Sequence, residues 1–119
     1  MVWSIVRLPS FEEDLGRYSV SQEKLDKWVD DLTKAPMQIK NAHALRGTEK
    51  PLWSAHFNPG NFTYVVKYAL CDGNEDQCFL KRGIEQHLAS AYMSLVQHTC
   101  DKKNGKVFLL RIGTHAVYK

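Results

Sequence analysis

The sequence predicts an α+β fold in which two helices pack on a mostly antiparallel sheet of about four strands. β-Branched or alternating runs stand near the N-terminus, in the middle of the chain and near the C-terminus, and such runs are typical of strands. Amphipathic segments follow the first run and separate the last two runs. This order predicts two helices after the first strand and an extra helical insertion before the last strand.

The N-terminal run VWSIVRL (2–8) is rich in β-branched residues and predicts the first strand. Pro9 follows this run and would end the strand. Ser10 and Glu13 stand three residues apart in a capping-box pattern, which predicts the start of a short helix.

A second helix is predicted directly after the first. Its apolar residues recur at i, i+3, i+4 and i+7, the spacing of one helix face. Ser19 or Ser21 stands where a capping side chain is needed, and Pro36 would end the helix. The apolar stripe consists of Leu25, Trp28, Val29 and Leu32.

The middle of the chain predicts a β-hairpin. Residues 52–57 alternate in polarity, so that Ser54 and His56 share one face of a strand. The sequence Asn-Pro-Gly-Asn at 58–61 is a strong turn signal, and strand composition resumes over residues 62–70.

Residues 107–112 predict the last strand, which is apolar on both faces except for Arg111. That composition indicates a central position in the sheet, with the two helices on one side. Between the hairpin and this strand, residues 71–106 contain an apolar stripe at helical spacing, which we interpret as the helical insertion. Residues 37–50, before the hairpin, are expected to be irregular.

Composition limits the class of protein. With 119 residues, of which 44% are apolar, the chain is expected to form a single domain over residues 1–119. No apolar run approaches the roughly 18 residues that span a bilayer, and no secretory signal is apparent. We therefore expect a cytoplasmic protein without membrane contact. The net charge of +3 is a small positive excess, compatible with a polyanionic partner.

The three cysteines, Cys71, Cys78 and Cys100, are odd in number and unevenly spaced. Reduced thiols are therefore the expectation. The spacing Cys-x6-Cys-x21-Cys lacks the short CxxC pairs of structural zinc sites, so we expect no metal.

Two histidine-bearing stretches suggest a chemistry. SAHFNPGNFTYVVKY (54–68) and LLRIGTHAVYK (109–119) each combine a strand with a histidine and a basic or aromatic neighbour. A ribonuclease needs no metal, because RNA supplies its own nucleophile, the 2′-hydroxyl. It needs a base, positive charge and an acid, and histidine serves both proton roles because its ordinary pKa lies near neutrality. The pair of stretches therefore predicts an RNA-cutting surface.

These segments resemble the RelE/ParE superfamily of bacterial toxins, and most of all the YafQ-type mRNA interferases. The resemblance rests on HALRG (43–47), SAHFNPGNFTYVVK (54–67) and IGTHAVY (112–118), together with the order of strands and helices. It implies a RelE-like fold and the toxin of a type II toxin–antitoxin system. Such a toxin is a metal-independent endoribonuclease that uses no cofactor, cleaves mRNA on the ribosome and is held inactive by a cognate antitoxin protein.

The resemblance also implies which residues form the site. The catalytic histidines fall on His43, His56 and His115, and the aromatic positions fall on Phe62 and Tyr118. The family's acidic residue falls on Gly60 or Asn61, and neither can accept a proton at neutral pH.

Roles follow from the chemistry of these residues. His115 would be the general acid, and His56 or His43 would act as base in place of the absent carboxylate. Phe62 and Tyr118 would stack the bases next to the scissile bond. The basic residues expected to balance the phosphate charge are Arg111, Lys67 and Arg46. Asn61 is also expected to bind substrate.

A second interpretation stays open at this stage. The missing carboxylate and the long insertion favour a catalytically degenerate member of the same fold, which would act by binding an antitoxin or a gyrase-type target. The three histidines at family positions favour the enzyme.

Overall fold

We describe the protein from a computed structural model, which defines residues 2–39, 41–45, 52–60, 62–71 and 104–114. The helical insertion was predicted over residues 71–106; residues 72–103 lie outside the described residues, and the prediction is wrong at its ends, because Cys71 and residues 104–106 belong to strands. In chain order the described elements are β1 (Val2–Arg7), α1 (Pro9–Arg17), α2 (Gln22–Lys34), β2 (His43–Ala44), β3 (Leu52–Phe57), β4 (Tyr64–Cys71) and β5 (Asn104–Thr114).

The five strands form one mixed, open sheet in the order β1-β5-β4-β3-β2. β1 runs parallel to β5, and the other neighbouring strands are antiparallel. The α+β class, the mostly antiparallel sheet and the central position of the last strand are thereby confirmed. The sheet has one strand more than predicted, because the two residues of β2 pair with β3 inside a segment expected to be irregular.

The second helix agrees closely with its prediction. Ser21 caps α2 by accepting a hydrogen bond from the backbone N–H of Lys24 at 3.4 Å, and the helix ends two residues before Pro36. Leu25 and Leu32 are fully buried. Neither described helix has the length and apolar character needed to cross a bilayer.

The predicted capping box of the first helix is wrong. The residue that caps α1 is Leu8, which makes no side-chain capping bond. Ser10 instead lies within the first turn, where its hydroxyl donates to the backbone carbonyl of Leu110 at 2.6 Å. A contact to β5, one hundred residues away, has replaced the local one.

Both helices cover the same face of the sheet, as predicted. The core between them contains Phe11 of α1, Leu25 of α2 and alternate side chains of the three long strands. The opposite face of the sheet has a second apolar cluster. Its buried members are Leu8, Leu52, Ala69, Cys71, Phe108 and Leu110.

The prediction of reduced thiols is wrong for Cys71. This buried residue, the last of β4, is disulfide-bonded, and both other cysteines lie outside the described residues. An odd number of cysteines at uneven spacing excludes a full disulfide framework but is compatible with one bond and one thiol.

α1 completes the hydrogen bonding of β5 beyond the point where β1 ends. The N–H of Leu8 donates to the carbonyl of Leu109 at 3.1 Å, and the Ser10 hydroxyl then takes the next carbonyl. One helical turn later, the buried carboxylate of Asp14 accepts the N–H of Ile112 at 3.0 Å. The same carboxylate binds Arg111 in bidentate fashion, at 2.8 and 3.1 Å.

Asp14→Ala should lower the free energy of unfolding by about 2–4 kcal/mol, because it leaves the Ile112 N–H and the Arg111 guanidinium without their shared acceptor. Asp14→Asn keeps an oxygen for the N–H and should cost roughly half as much. Urea denaturation measures both. Arg17 is the control: its side chain is 69% exposed and lies 3.9 Å from Asp14, so Arg17→Ala should change stability by less than about 0.5 kcal/mol. Equal losses for Asp14→Ala and Arg17→Ala would contradict this view.

Candidate functional site

His43 and His56 lie on the same face of the sheet, the one opposite the helices. His43 on β2 is directly opposite Ser54 on β3, and directly opposite residues share a face. His56 is two residues further along β3 and therefore also shares that face. Ala55 and Phe57, which alternate with them, pack into the helix-side core.

Asn41 connects the two imidazoles. Its side-chain amide nitrogen lies 2.8 Å from Nδ1 of His56, and its backbone carbonyl oxygen lies 3.1 Å from Nδ1 of His43. An amide NH₂ group donates and a carbonyl oxygen accepts, so Nδ1 of His56 is an acceptor here and Nδ1 of His43 is a donor. One residue thus holds both rings through opposite hydrogen-bond roles.

The backbone of Asn41 makes this double contact possible. Its φ of 61° lies in the left-handed region, and among the described residues it is the one non-glycine residue with positive φ. Asparagine tolerates this region better than most residues. The turn directs the carbonyl of Asn41 toward His43 and its side chain toward β3.

Basic residues continue the row that His43 begins. Lys67 of β4 is opposite Ser54, and Arg111 of β5 is opposite Lys67. Lys67 is half-buried and Ser54 is buried. The guanidinium of Arg111 is engaged by Asp14, so any contact with a phosphate would have to be shared with that pair.

A groove lies on the other side of β3, between α2 and the turn that follows the strand. It has a volume of about 470 Å³. The indole N–H of Trp28, in its wall, donates to the carbonyl of His56 at 3.1 Å, and the ammonium group of Lys24 donates to the carbonyl of Pro59. The groove is lined by Lys24, Lys27, Trp28, Asp31, Phe57, Asn58, Pro59 and Gly60.

The remaining predicted site residues divide into two groups. Phe62 follows the turn and is 71% exposed, so its ring is accessible to a ligand. The others lie outside the described residues, and their roles stay predictions. They are Arg46, Asn61, His115 and Tyr118.

Asn41 was missed from sequence. The signal that could have found it is an asparagine two residues before His43 in a segment without regular structure, since asparagine there is typical of a positive φ.

The described residues contain no group of three or more His, Cys, Asp or Glu side chains that could hold a metal ion.

Comparison of the chain with models of protein families, with curated proteins and with solved structures gives no match. What the geometry establishes is an α+β fold with two helices and a five-stranded mixed sheet. The relation to the RelE/ParE superfamily stays a prediction.

Tyr68 anchors the segment that leads to Asn41. Its buried hydroxyl donates to the carbonyl of Pro36 at 2.6 Å, just after α2. Burial raises the pKa of Tyr68 well above its usual range, because an ionised phenolate would lose its hydration.

Tyr68→Phe should therefore lower the free energy of unfolding by about 1–3 kcal/mol, since the Pro36 carbonyl loses its donor. In the wild type, the raised pKa adds stability that is complete below about pH 10, where the unfolded tyrosine begins to ionise, and that is lost as the pH rises further. The difference between wild type and variant should shrink above pH 10.

Chemical denaturation across pH measures this difference. Tyr18→Phe is the control, because the side chain of Tyr18 is half-buried and contacts the ring of Tyr64 edge-on. A difference between wild type and Tyr68→Phe that is independent of pH would show that the hydroxyl is not buried as described.

Proposed function

We propose that this chain is the toxin of a bacterial type II toxin–antitoxin system with a RelE-like fold, and that it is a metal-independent endoribonuclease that cleaves mRNA on the ribosome. The observation that supports this proposal most is the pairing of His43 and His56 on one sheet face through Asn41. An imidazole held in place by a hydrogen bond can serve as the general base that metal-free RNA cleavage requires.

The reaction proceeds by attack of the 2′-oxygen on the adjacent phosphorus. A histidine takes the 2′-hydroxyl proton, the bond from phosphorus to the 5′-oxygen breaks, and His115 gives that oxygen a proton. Lys67, in the row that begins at His43, offsets the charge that builds up on the phosphate. Arg46 and Arg111 are further candidates for this role.

Aromatic side chains hold the bases. The exposed ring of Phe62 is suited to stacking, which is worth roughly 1–3 kcal/mol per base and tolerates sequence variation. Tyr118 is assigned the same role on the resemblance, and Asn61 a polar contact to the substrate.

The proposed partners are a cognate antitoxin, mRNA and the ribosome, and the proposed compartment is the cytoplasm. Disulfides are rare in that compartment, and Cys71 is disulfide-bonded. Activity should therefore be assayed both with and without a thiol reductant.

His43→Ala and His56→Ala should each lower the rate of mRNA cleavage, by about 10²–10⁴-fold for the one that serves as the general base. Cleavage is measured on purified ribosomes programmed with a labelled mRNA. Glu23→Ala, on the exposed side of α2, is the matched control and should cleave as the wild type does. A wild type that cuts no mRNA with ribosomes present would overturn the proposal.

A second candidate function is favoured by the groove on the helix side. A degenerate member of the same fold would act by binding a protein, either an antitoxin or a gyrase-type target, and Lys27 is an exposed cation in that groove. This function does not require His43 or His56.

Growth arrest on expression separates the two functions. If the protein acts by binding a protein through the groove, Lys27→Glu should abolish arrest and the His43→Ala, His56→Ala double variant should arrest growth as the wild type does. Lys34 is the control cation on the same helix, because it pairs with Asp30 at 3.3 Å and does not line the groove. The enzyme hypothesis predicts instead that the His43→Ala, His56→Ala double variant does not arrest growth.

A further inference from the structure

We propose that Asn41 sets the two histidines in opposite proton arrangements, so that His43, and not His56, accepts the proton of the 2′-hydroxyl. This inference rests on the proposed function and extends it, because sequence alone left His43 and His56 as equal candidates for the base. Asn41 is a positioning residue in this scheme, since it acts through the two rings.

The contact with the Asn41 side chain disfavours His56 as the base. The amide nitrogen at 2.8 Å carries two hydrogens and has no lone pair to offer, so Nδ1 of His56 must be unprotonated. A neutral imidazole with a bare Nδ1 carries its proton on Nε2. A protonated Nε2 is a donor, and in this form it cannot take a proton from the substrate.

His43 has the complementary arrangement. The carbonyl oxygen of Asn41 only accepts, so Nδ1 of His43 carries the hydrogen at 3.1 Å. In the neutral ring the lone pair is then on Nε2. When Nε2 takes a proton, the bond from Nδ1 to Asn41 is kept, because Nδ1 is protonated in both states. His43 is also exposed, so a bound RNA strand can reach the ring.

Using His56 as the base would break the arrangement. Its ring would have to move the proton from Nε2 to Nδ1, where it would face the amide hydrogens of Asn41. The hydrogen bond would be lost until the amide of Asn41 turned over to present its oxygen, so this route needs a second rearrangement. His43 undergoes no such conflict.

The 2′-hydroxyl proton passes to Nε2 of His43 as the 2′-oxygen bonds to phosphorus. The bond between phosphorus and the 5′-oxygen breaks, and that oxygen takes a proton from the general acid, which the proposed function assigns to His115. The products are a 2′,3′-cyclic phosphate and a 5′-hydroxyl.

Nitrogen-15 NMR of the histidine rings tests the proton arrangement without reference to activity. At about pH 8.5, where ordinary imidazoles are neutral, the wild type should show His56 protonated on Nε2 and His43 protonated on Nδ1. Asn41→Asp presents only acceptors and should move the His56 proton to Nδ1. Asn58→Asp adds the same charge at another exposed asparagine, which donates to Thr63, and should leave both rings unchanged.

Asn41→Gly guards against a folding defect in the aspartate variant. Glycine adopts a φ of 61° readily and keeps the carbonyl that His43 uses. It should preserve the His43 arrangement and release only His56. A wild-type His56 protonated on Nδ1 overturns the inference.

The pH profile of kcat/KM identifies the base. The fall in rate on the acidic side, which reports protonation of the base, should vanish in His43→Ala and persist in His56→Ala. If His43 had only a structural role, His43→Ala would lower the rate but keep the fall on the acidic side. If that fall vanished in His56→Ala and persisted in His43→Ala, the inference would be overturned. If the wild-type rings behave as expected but no RNA is cut, the proposed function fails while the assignment of the two rings by Asn41 stands.

Discussion

The fold depends on how the long central strand β5 is completed where its neighbour β1 stops. β5 has 11 residues and β1 has 6, so part of one edge of β5 would face the start of α1 without backbone partners. Side chains one helical turn apart, Ser10 and Asp14, supply a donor and an acceptor in the places where a strand would. Unpaired buried backbone groups are costly, so α1 is fixed in position relative to β5. The C-terminal end of β5 is held by the same contacts.

The candidate site depends on a second backbone feature at the opposite edge of the sheet. β2 is only two residues long, and its position follows from pairing with β3 and from the turn at Asn41. The chain before that turn is held by the bond from Tyr68 to Pro36. The core thereby holds the segment that leads to Asn41, and Asn41 contacts Nδ1 of both imidazoles. The contacts of the two imidazoles on one face of the sheet therefore depend on packing on the other face.

Sequence predicted the elements whose signals are local. The apolar spacing of α2, its Ser21 cap and the shared face of Trp53, Ala55 and Phe57 in β3 each follow from neighbouring residues, and each is confirmed. Features created by distant contacts were not predictable in the same way. Ser10 has the sequence of a cap and bonds β5 instead, and nothing beside Asp14 in the sequence indicates that it receives an N–H from Ile112. β2 is too short to have a period of its own, and the role of Asn41 exists only once β2 and β3 are paired.

The absent carboxylate at Gly60 and Asn61 has a physical counterpart in Asn41. A carboxylate beside two histidines would favour their cationic forms, whereas a neutral amide and a carbonyl bond the rings without adding charge. The amide leaves Nδ1 of His56 unprotonated, and the carbonyl favours a protonated Nδ1 on His43. One carboxylate that accepts from both rings could not create this difference. An asparagine in a left-handed turn can therefore separate the roles of two equivalent side chains. Under the proposed function, the family's acidic residue is absent and His43 takes the role of the base, so the missing carboxylate alone does not exclude catalysis.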